Sequence, residues 1–373
     1  MQLEAPEALY IHVPFCPSIC PYCDFHKMRR NEALVQRYVT RLIEEAQGLY
    51  QRYPHKLKTI YWGGGTPGHL NDAELTRLFS ALDSLWGLPS LELSFEADPL
   101  SFDRERLVFF KDLGISRLSI GLQSTQDEVL RFLGRGHSAK EGLDAARLAL
   151  EAGFEVSVDI ISSVPQQDIY QDIDAILELA PQHISSYSLS IEAHTPFALR
   201  QIVVDEEQDY EDYLALQESL ARADYESYEI SNYARPGHRS QHNQVYWRGD
   251  AYLALGPSAS GFLCDDGQGP IRYKNPNIRF WLERQAPEIE RIDHEAYLFE
   301  CLMTGLRTVE GVELGGLERK LGFNPMDILQ DKVDRYCQQG LLIYDKGYLS
   351  ASFEGKLKLN GVLLGLLDAL NNV

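Results

Sequence analysis

The sequence predicts an α/β fold on a parallel sheet, followed by a small α+β module. Two hydrophobic periods alternate between residues 10 and about 190, short β-branched or aromatic runs being separated by amphipathic helical stripes. Capping residues and glycines fall at the joints between the two patterns. Beyond Pro287 the alternation gives way to helical stripes that end in a hairpin signal.

In chain order the strand-like runs are Tyr10–Val13, Thr59–Trp62, Glu92–Glu96, Arg117–Leu122, Glu155–Ile161 and Ile184–Leu189. Between the first two, Leu34, Tyr38, Leu42, Ala46 and Leu49 recur at helical spacing; Leu75, Leu78, Phe79, Leu82 and Leu85 do so after the second. Asn71 with Glu74, and Ser138 with Glu141, have the spacing of capping boxes, while Gly114 and Gly153 close helices just before strands. Strands alternating with helices require right-handed crossovers, and so parallel neighbours. A further helix is expected near Asp209–Ala221. In the last part Leu298, Leu302 and Leu306, then Leu317 and Leu321, then Ile328, Val333 and Tyr336 mark successive helix faces. Gly340 to Leu349 reads as a hairpin with its turn at Asp345–Gly347. The expected division is residues 1–230 for the α/β domain, 231–286 for a connecting region and 287–373 for the C-terminal module.

Composition limits the function classes. A hydrophobic content of 44% among 373 residues supplies ample core. The formal charge of −20 argues against holding the phosphate backbone of nucleic acid or an anionic lipid surface. The acidic start Met1-Gln-Leu-Glu-Ala-Pro-Glu lacks the regions of a signal peptide, and no stretch reaches transmembrane length; Gly361–Leu370 is short and carries Asp368. Cys264, Cys301 and Cys337 are scattered and suggest no disulfide framework, so a cytoplasmic location is expected.

The other cysteines are concentrated. Cys16, Cys20 and Cys23 stand in a C-x3-C-x2-C loop directly after the first strand, where prolines oppose a helix. Three local thiolates suit a [4Fe–4S] cube with one iron left open. The alternative is a zinc knuckle with His26 as fourth ligand. Other unusual polar and glycine residues sit at the carboxyl ends of the remaining strands: Gly63-Gly64-Gly65-Thr66-Pro67, Glu96-Ala97-Asp98, Gln123-Ser124, Asp159 and Glu192. In a parallel barrel or open sheet these ends share one edge, where ligands bind. Zinc gives no reason for that pattern. Arg135, in Gly134-Arg-Gly-His137, has the chemistry to hold a ligand carboxylate.

On these motifs, and on Trp62-Gly-Gly-Gly-Thr-Pro67, the chain resembles radical S-adenosylmethionine proteins over nearly its whole length. The similarity is to the group that contains oxygen-independent coproporphyrinogen III dehydrogenase (HemN) and the haem chaperones called HemW. The resemblance implies a partial (β/α)6 TIM-like barrel with a small winged-helix-like C-terminal domain. It implies a [4Fe–4S] cluster on Cys16, Cys20 and Cys23, whose open iron takes the amino and carboxylate groups of S-adenosylmethionine before one electron cleaves a carbon–sulfur bond. Carried over by motif, Tyr10, Tyr22, Gly64, Gly65, Thr66, Glu96, Gln123, Arg135 and Asp159 line the S-adenosylmethionine site. After Asp159 the chain departs from the group's glycine-containing turn, reading Ile-Ile-Ser-Ser-Val-Pro165.

Two features separate chaperone from dehydrogenase. The dehydrogenase has a further cysteine two residues beyond the third ligand, where this chain has Phe25, and a long N-terminal arm, where only nine residues precede Tyr10. Both favour the chaperones. The run Gln241-His242-Asn243-Gln-Val-Tyr246-Trp247 resembles a haem-binding His-Asn-x-x-Tyr-Trp motif, which makes His242 the candidate haem residue; His12, His26 and His137 are weaker candidates. The expected function is to bind haem and pass it to haem-requiring acceptor proteins, membrane-associated ones included. The chain itself is not expected to span a membrane or bind nucleic acid, and no residue is singled out as catalytic. The alternative is oxidative decarboxylation of coproporphyrinogen III.

Overall fold

The computed structural model describes residues 4–265 and 269–371. Six parallel strands curve around a central space: β1 (Ala8–Val13), β2 (Thr59–Gly64), β3 (Glu92–Ala97), β4 (Arg117–Gln123), β5 (Glu155–Ser162) and β6 (His183–Ser188). The sheet continues beyond β6 through β7 (Asn232–Ala234), which is antiparallel, to Glu226–Ser227. At its other edge β8 (Leu253–Leu255) runs parallel to β1. The arc is open, a partial barrel. Residues 231–286, expected as a connecting region, supply two strands of the main sheet.

Period-two alternation decides which way each side chain faces. On β3, Leu93 and Phe95 are buried outward against the helices, while Glu92, Ser94 and Glu96 alternate with them. The outer layer includes α1 (Glu32–Arg52), α2 (Asp72–Trp86), α3 (Arg104–Asp112), α4 (Ala139–Glu151), α5 (Ile169–Leu179) and α6 (Glu206–Arg222). Both expected capping boxes form, with Asn71 and Glu74 on α2 and Ser138 and Glu141 on α4, so each pair satisfies two of the free amide donors at its helix start. Leu9, Ile11, Tyr38, Leu42, Trp62, Phe79, Phe95 and Phe110 belong to one core between strands and helices. Trp62 stacks on Phe79 with centroids 4.8 Å apart.

The floor of the barrel is closed by a short helix, α7 (Gln241–Trp247). Its attachment is electrostatic. The Glu92 carboxylate, at the start of β3, accepts the Gln241 and His242 amides at 3.0 and 3.1 Å. Arg117, only 3% exposed, donates to the same carboxylate at 3.0 Å and also pairs with Glu155.

Past the barrel, β9 (Ser260–Asp265), β10 (Gly269–Lys274) and β11 (Glu288–Arg291) form a small antiparallel sheet. The C-terminal module packs α8 (His294–Gly305), α9 (Leu314–Leu321), α10 (Met326–Gln338) and α11 (Leu359–Leu370) with the hairpin β12 (Leu342–Asp345) and β13 (Tyr348–Ala351). Leu298, Leu302, Leu317, Leu329, Val333, Leu349 and Leu366 form its separate core. Among the described residues no helix is long and apolar enough to cross a membrane.

Candidate functional site

The carboxyl ends of β1 to β6 surround a cavity of about 430 Å³. Cys16, Cys20 and Cys23 line it, and none of the three is in a disulfide. The loop that carries them leaves β1 through Pro14 and is tied down at several points. The Met28 amide bonds the Pro14 carbonyl at 2.7 Å, Lys27 donates to the Cys23 carbonyl, and the Phe197 amide bonds the Pro21 carbonyl at 3.1 Å. Gly65 and Thr66 lie beneath it, their amides donating to the Val13 and Phe15 carbonyls at 2.7 and 2.9 Å. A Cβ on Gly65 would come within 2.9 Å of three backbone atoms of that loop, which explains the glycine. At Gly64, φ is +110° and a Cβ would strike the His12 ring at 2.4 Å.

Polar side chains complete the wall. Glu96 accepts the Tyr61 hydroxyl at 2.8 Å and the Gly64 amide at 3.0 Å, yet burial outweighs both bonds and pushes its pKa up to about 7. Asp159 accepts Ser119 at 2.7 Å and Ser157 at 3.3 Å, and burial raises it to about 6. Arg135 donates to Asp98 at 2.7 Å and to the Gly121 carbonyl at 3.1 Å, and reaches the Cys20 sulfur at 3.6 Å. Its Nε is buried without a partner. At Gln123 the strand is irregular and φ is +66°, rare for a residue with a side chain.

The donor set fits an iron–sulfur cluster. Among the described residues no three His, Cys, Asp or Glu side chains converge on a point suited to one metal ion. A cube, by contrast, offers each thiolate its own iron, so its ligands stand apart. His26 is not poised as a zinc ligand, because its Nε2 accepts the Ile278 amide at 3.3 Å. Burial pushes the Cys16 thiol up to about 11, so its ionisation calls for a Lewis acid. Arg135 beside Cys20 and Lys27 beside Cys23 add positive charge at the loop.

Of the residues singled out from sequence, Tyr22, Gly64, Gly65, Thr66, Glu96, Gln123, Arg135 and Asp159 line the cavity with the three cysteines. Tyr10 does not. Its hydroxyl bonds His12 Nδ1 at 2.9 Å and its ring stacks at 6.2 Å on Tyr61, which does line the cavity. His242 does not line it either. It is 0% exposed in the floor helix, with Nδ1 bonded to Thr59 at 2.9 Å and Nε2 to the Tyr246 hydroxyl at 2.7 Å. Both ring nitrogens are engaged in these bonds, and burial lowers its pKa to about 4. Sequence reasoning missed the lower wall, made by Arg117, Ser119, Ser157, His183 and Ser185. Its signal was present as small polar residues at alternate positions of otherwise apolar strands.

The model described as the radical SAM superfamily matches residues 10–180, and that of the HemN C-terminal domain matches residues 292–357. The coproporphyrinogen III oxidase HemN from Escherichia coli superposes with a TM-score of 0.82 over 97% of this chain and 90% of its own, at 20% identity, which shows a shared fold. Among curated relatives, the heme chaperone HemW of Lactococcus lactis is 32% identical over 99% of this chain and 100% of its own. That of Synechocystis is 36% identical over 82% and 79%, and that of Escherichia coli 31% over 96% and 97%. The chain belongs to the HemW family of radical SAM proteins.

Proposed function

We propose that this chain binds haem and delivers it to haem-requiring proteins, with a [4Fe–4S] cluster on Cys16, Cys20 and Cys23 and S-adenosylmethionine in the barrel cavity. The observation that carries the reading is similarity to heme chaperones along 99% of the chain. The cavity supports it with the thiols on its rim and acceptors below. The cluster would supply an electron to S-adenosylmethionine. The chain's own residues bind and orient: Gly64 and Gly65 bring backbone close, Glu96 and Asp159 present oxygens to a sulfonium cation, and Arg135 is available to a carboxylate. Phe25, 62% exposed at the cavity, places an apolar ring where the dehydrogenase pattern has a thiol. The acceptors are expected in a reducing cytoplasm or at the inner face of a membrane.

Anaerobic reconstitution tests this. Saturable binding of one haem, and its transfer to an apo-haemoprotein, is the expected result. Conversion of coproporphyrinogen III with consumption of S-adenosylmethionine would overturn it.

A further inference from the structure

The surface beside the cysteine loop carries the opposite charge to the chain as a whole. Across the protein 55 Asp and Glu outnumber 35 Lys and Arg, yet Lys27, Arg29, Arg30, Arg37 and Arg41 stand within residues 27–41 against the single carboxylate of Glu32. Arg30 is taken up by Glu32 and Glu74. Among the described residues the other four form no ion pair. Lys27 donates to the Cys23 and Phe25 carbonyls, Arg41 donates to the Trp281 carbonyl at 3.3 Å, and Arg29 and Arg37 are exposed. We propose that this face docks an acidic one-electron carrier protein, bearing a flavin or an iron–sulfur centre, that reduces the cluster; the inference rests on the cluster of the proposed function.

Proximity is the first argument. Phe15–Cys16 pairs in parallel with Met28–Arg29, and Cys16 stands opposite Arg29. Neighbouring strands lie about 4.7–4.9 Å apart, so a protein seated on Arg29 is one strand away from a cluster ligand. Lys27 is close to another, with its amine on the Cys23 carbonyl. Arg29, Arg37 and Arg41 do not line the barrel cavity, so a carrier held by them leaves the S-adenosylmethionine side open.

Continuity is the second. His26 Nε2 accepts the Ile278 amide at 3.3 Å, which ties the cysteine loop to the short helix Ile278–Leu282. Arg41 stacks on Trp281 of that helix at 5.4 Å, and Arg37 stands one turn earlier on the same stripe of α1. Nearby carboxylates do not cancel the charge. Glu44 is paired with Arg284, Glu45 is held by Gly256, Asn275 and Trp281, and Asp24 is exposed beside four cations. Ile19 and Phe25, 40% and 62% exposed on the cysteine loop, add apolar contact surface.

The chemistry requires such a partner. An electron given by the cluster to S-adenosylmethionine has to be replaced from outside the chain. In that replacement the carrier is oxidised by one electron and the cluster is reduced by one, and no bond forms or breaks. Electron-transfer encounters use small interfaces, below about 1,200 Å², and opposite charge speeds their formation.

The experiment mixes the full, cluster-reconstituted chain with flavodoxin hydroquinone in anaerobic stopped flow and follows loss of cluster absorption. The wild-type second-order rate should fall about ten-fold between about 0.1 M salt, where charges act over about 10 Å, and about 1 M, where they act over about 3 Å. Arg29→Glu and Arg37→Glu should each slow the low-salt rate about five-fold. Iron content, S-adenosylmethionine binding and the extent of reduction by photoreduced deazariboflavin, a small reductant, should stay at wild-type values. A salt-independent wild-type rate, or an unchanged rate in Arg37→Glu, would overturn the proposal and leave the face to a different acidic partner. Should Arg29→Glu hold no cluster, Arg37→Glu, exposed on α1, decides alone. A wild-type chain that takes up no cluster would remove the functional reading together with this inference.

Discussion

Glu96 offers the sharpest test of the barrel cavity, because its ionisation falls within an accessible pH range. Two hydrogen bonds favour its carboxylate, but burial outweighs them and brings the pKa to about 7. At pH 6 about one-tenth of the groups are then ionised, and at pH 8 about nine-tenths. If the anion attracts the sulfonium ligand, affinity for S-adenosylmethionine rises about ten-fold from pH 6 to pH 8, or about 1.4 kcal/mol. Glu96→Gln should bind weakly at both values with a flattened profile; what slope remains would come from Asp159, which burial brings to about 6. Folding stability changes in the opposite sense. Since the folded pKa lies above the unfolded one, the Glu96 contribution is fully present below about 4.5 and is lost as pH rises through about 7. Equilibrium dialysis with labelled S-adenosylmethionine across this range is the assay. A flat wild-type profile, or a Glu96→Gln profile that keeps the full ten-fold rise, would refute the reasoning.

Three further outcomes follow from the geometry. Cys20→Ser should lose the visible iron–sulfur absorption after reconstitution while keeping the wild-type circular dichroism, because Cys20 lies on the cavity rim outside the hydrophobic cores. Glu92→Ala should lower stability by ~2–4 kcal/mol, seen as a lower urea midpoint, since it leaves two helix-start amides without an acceptor in a buried floor and takes from Arg117 one of its two carboxylates; a loss under ~1 kcal/mol would contradict the floor description. His242→Ala should cost ~2–4 kcal/mol from the vacated space and two broken hydrogen bonds, yet still bind one haem. Complete loss of haem by a folded His242→Ala protein would assign the haem to that histidine.

The fold was readable locally because its signals are local. Alternation along β3, the stripes of α1 and α2 and the capping pairs at Asn71 and Ser138 are properties of consecutive residues, and all appear in the structure. The gathering at the cavity was readable for a topological reason: parallel strands send all their carboxyl ends to one edge, so Cys16, Gly65, Glu96 and Asp159 had to converge. Tyr10 stands at the cavity margin, because one residue's position on a curved strand decides whether it lines the cavity or its edge.

By itself the sequence determined the class of fold, the thiol loop and most of the acceptors around it, since each is written in spacing or period. Tertiary structure alone decided the use of residues 231–286. Nothing local announces that Glu92, at the start of a strand, will hold the amides of Gln241 and His242, or that Thr59 will take one nitrogen of that histidine. Those partners lie far apart in the chain, and only barrel closure brings them together. The motif suggested a haem residue at His242; barrel closure buries that side chain in the floor helix, with Thr59 on one ring nitrogen and Tyr246 on the other.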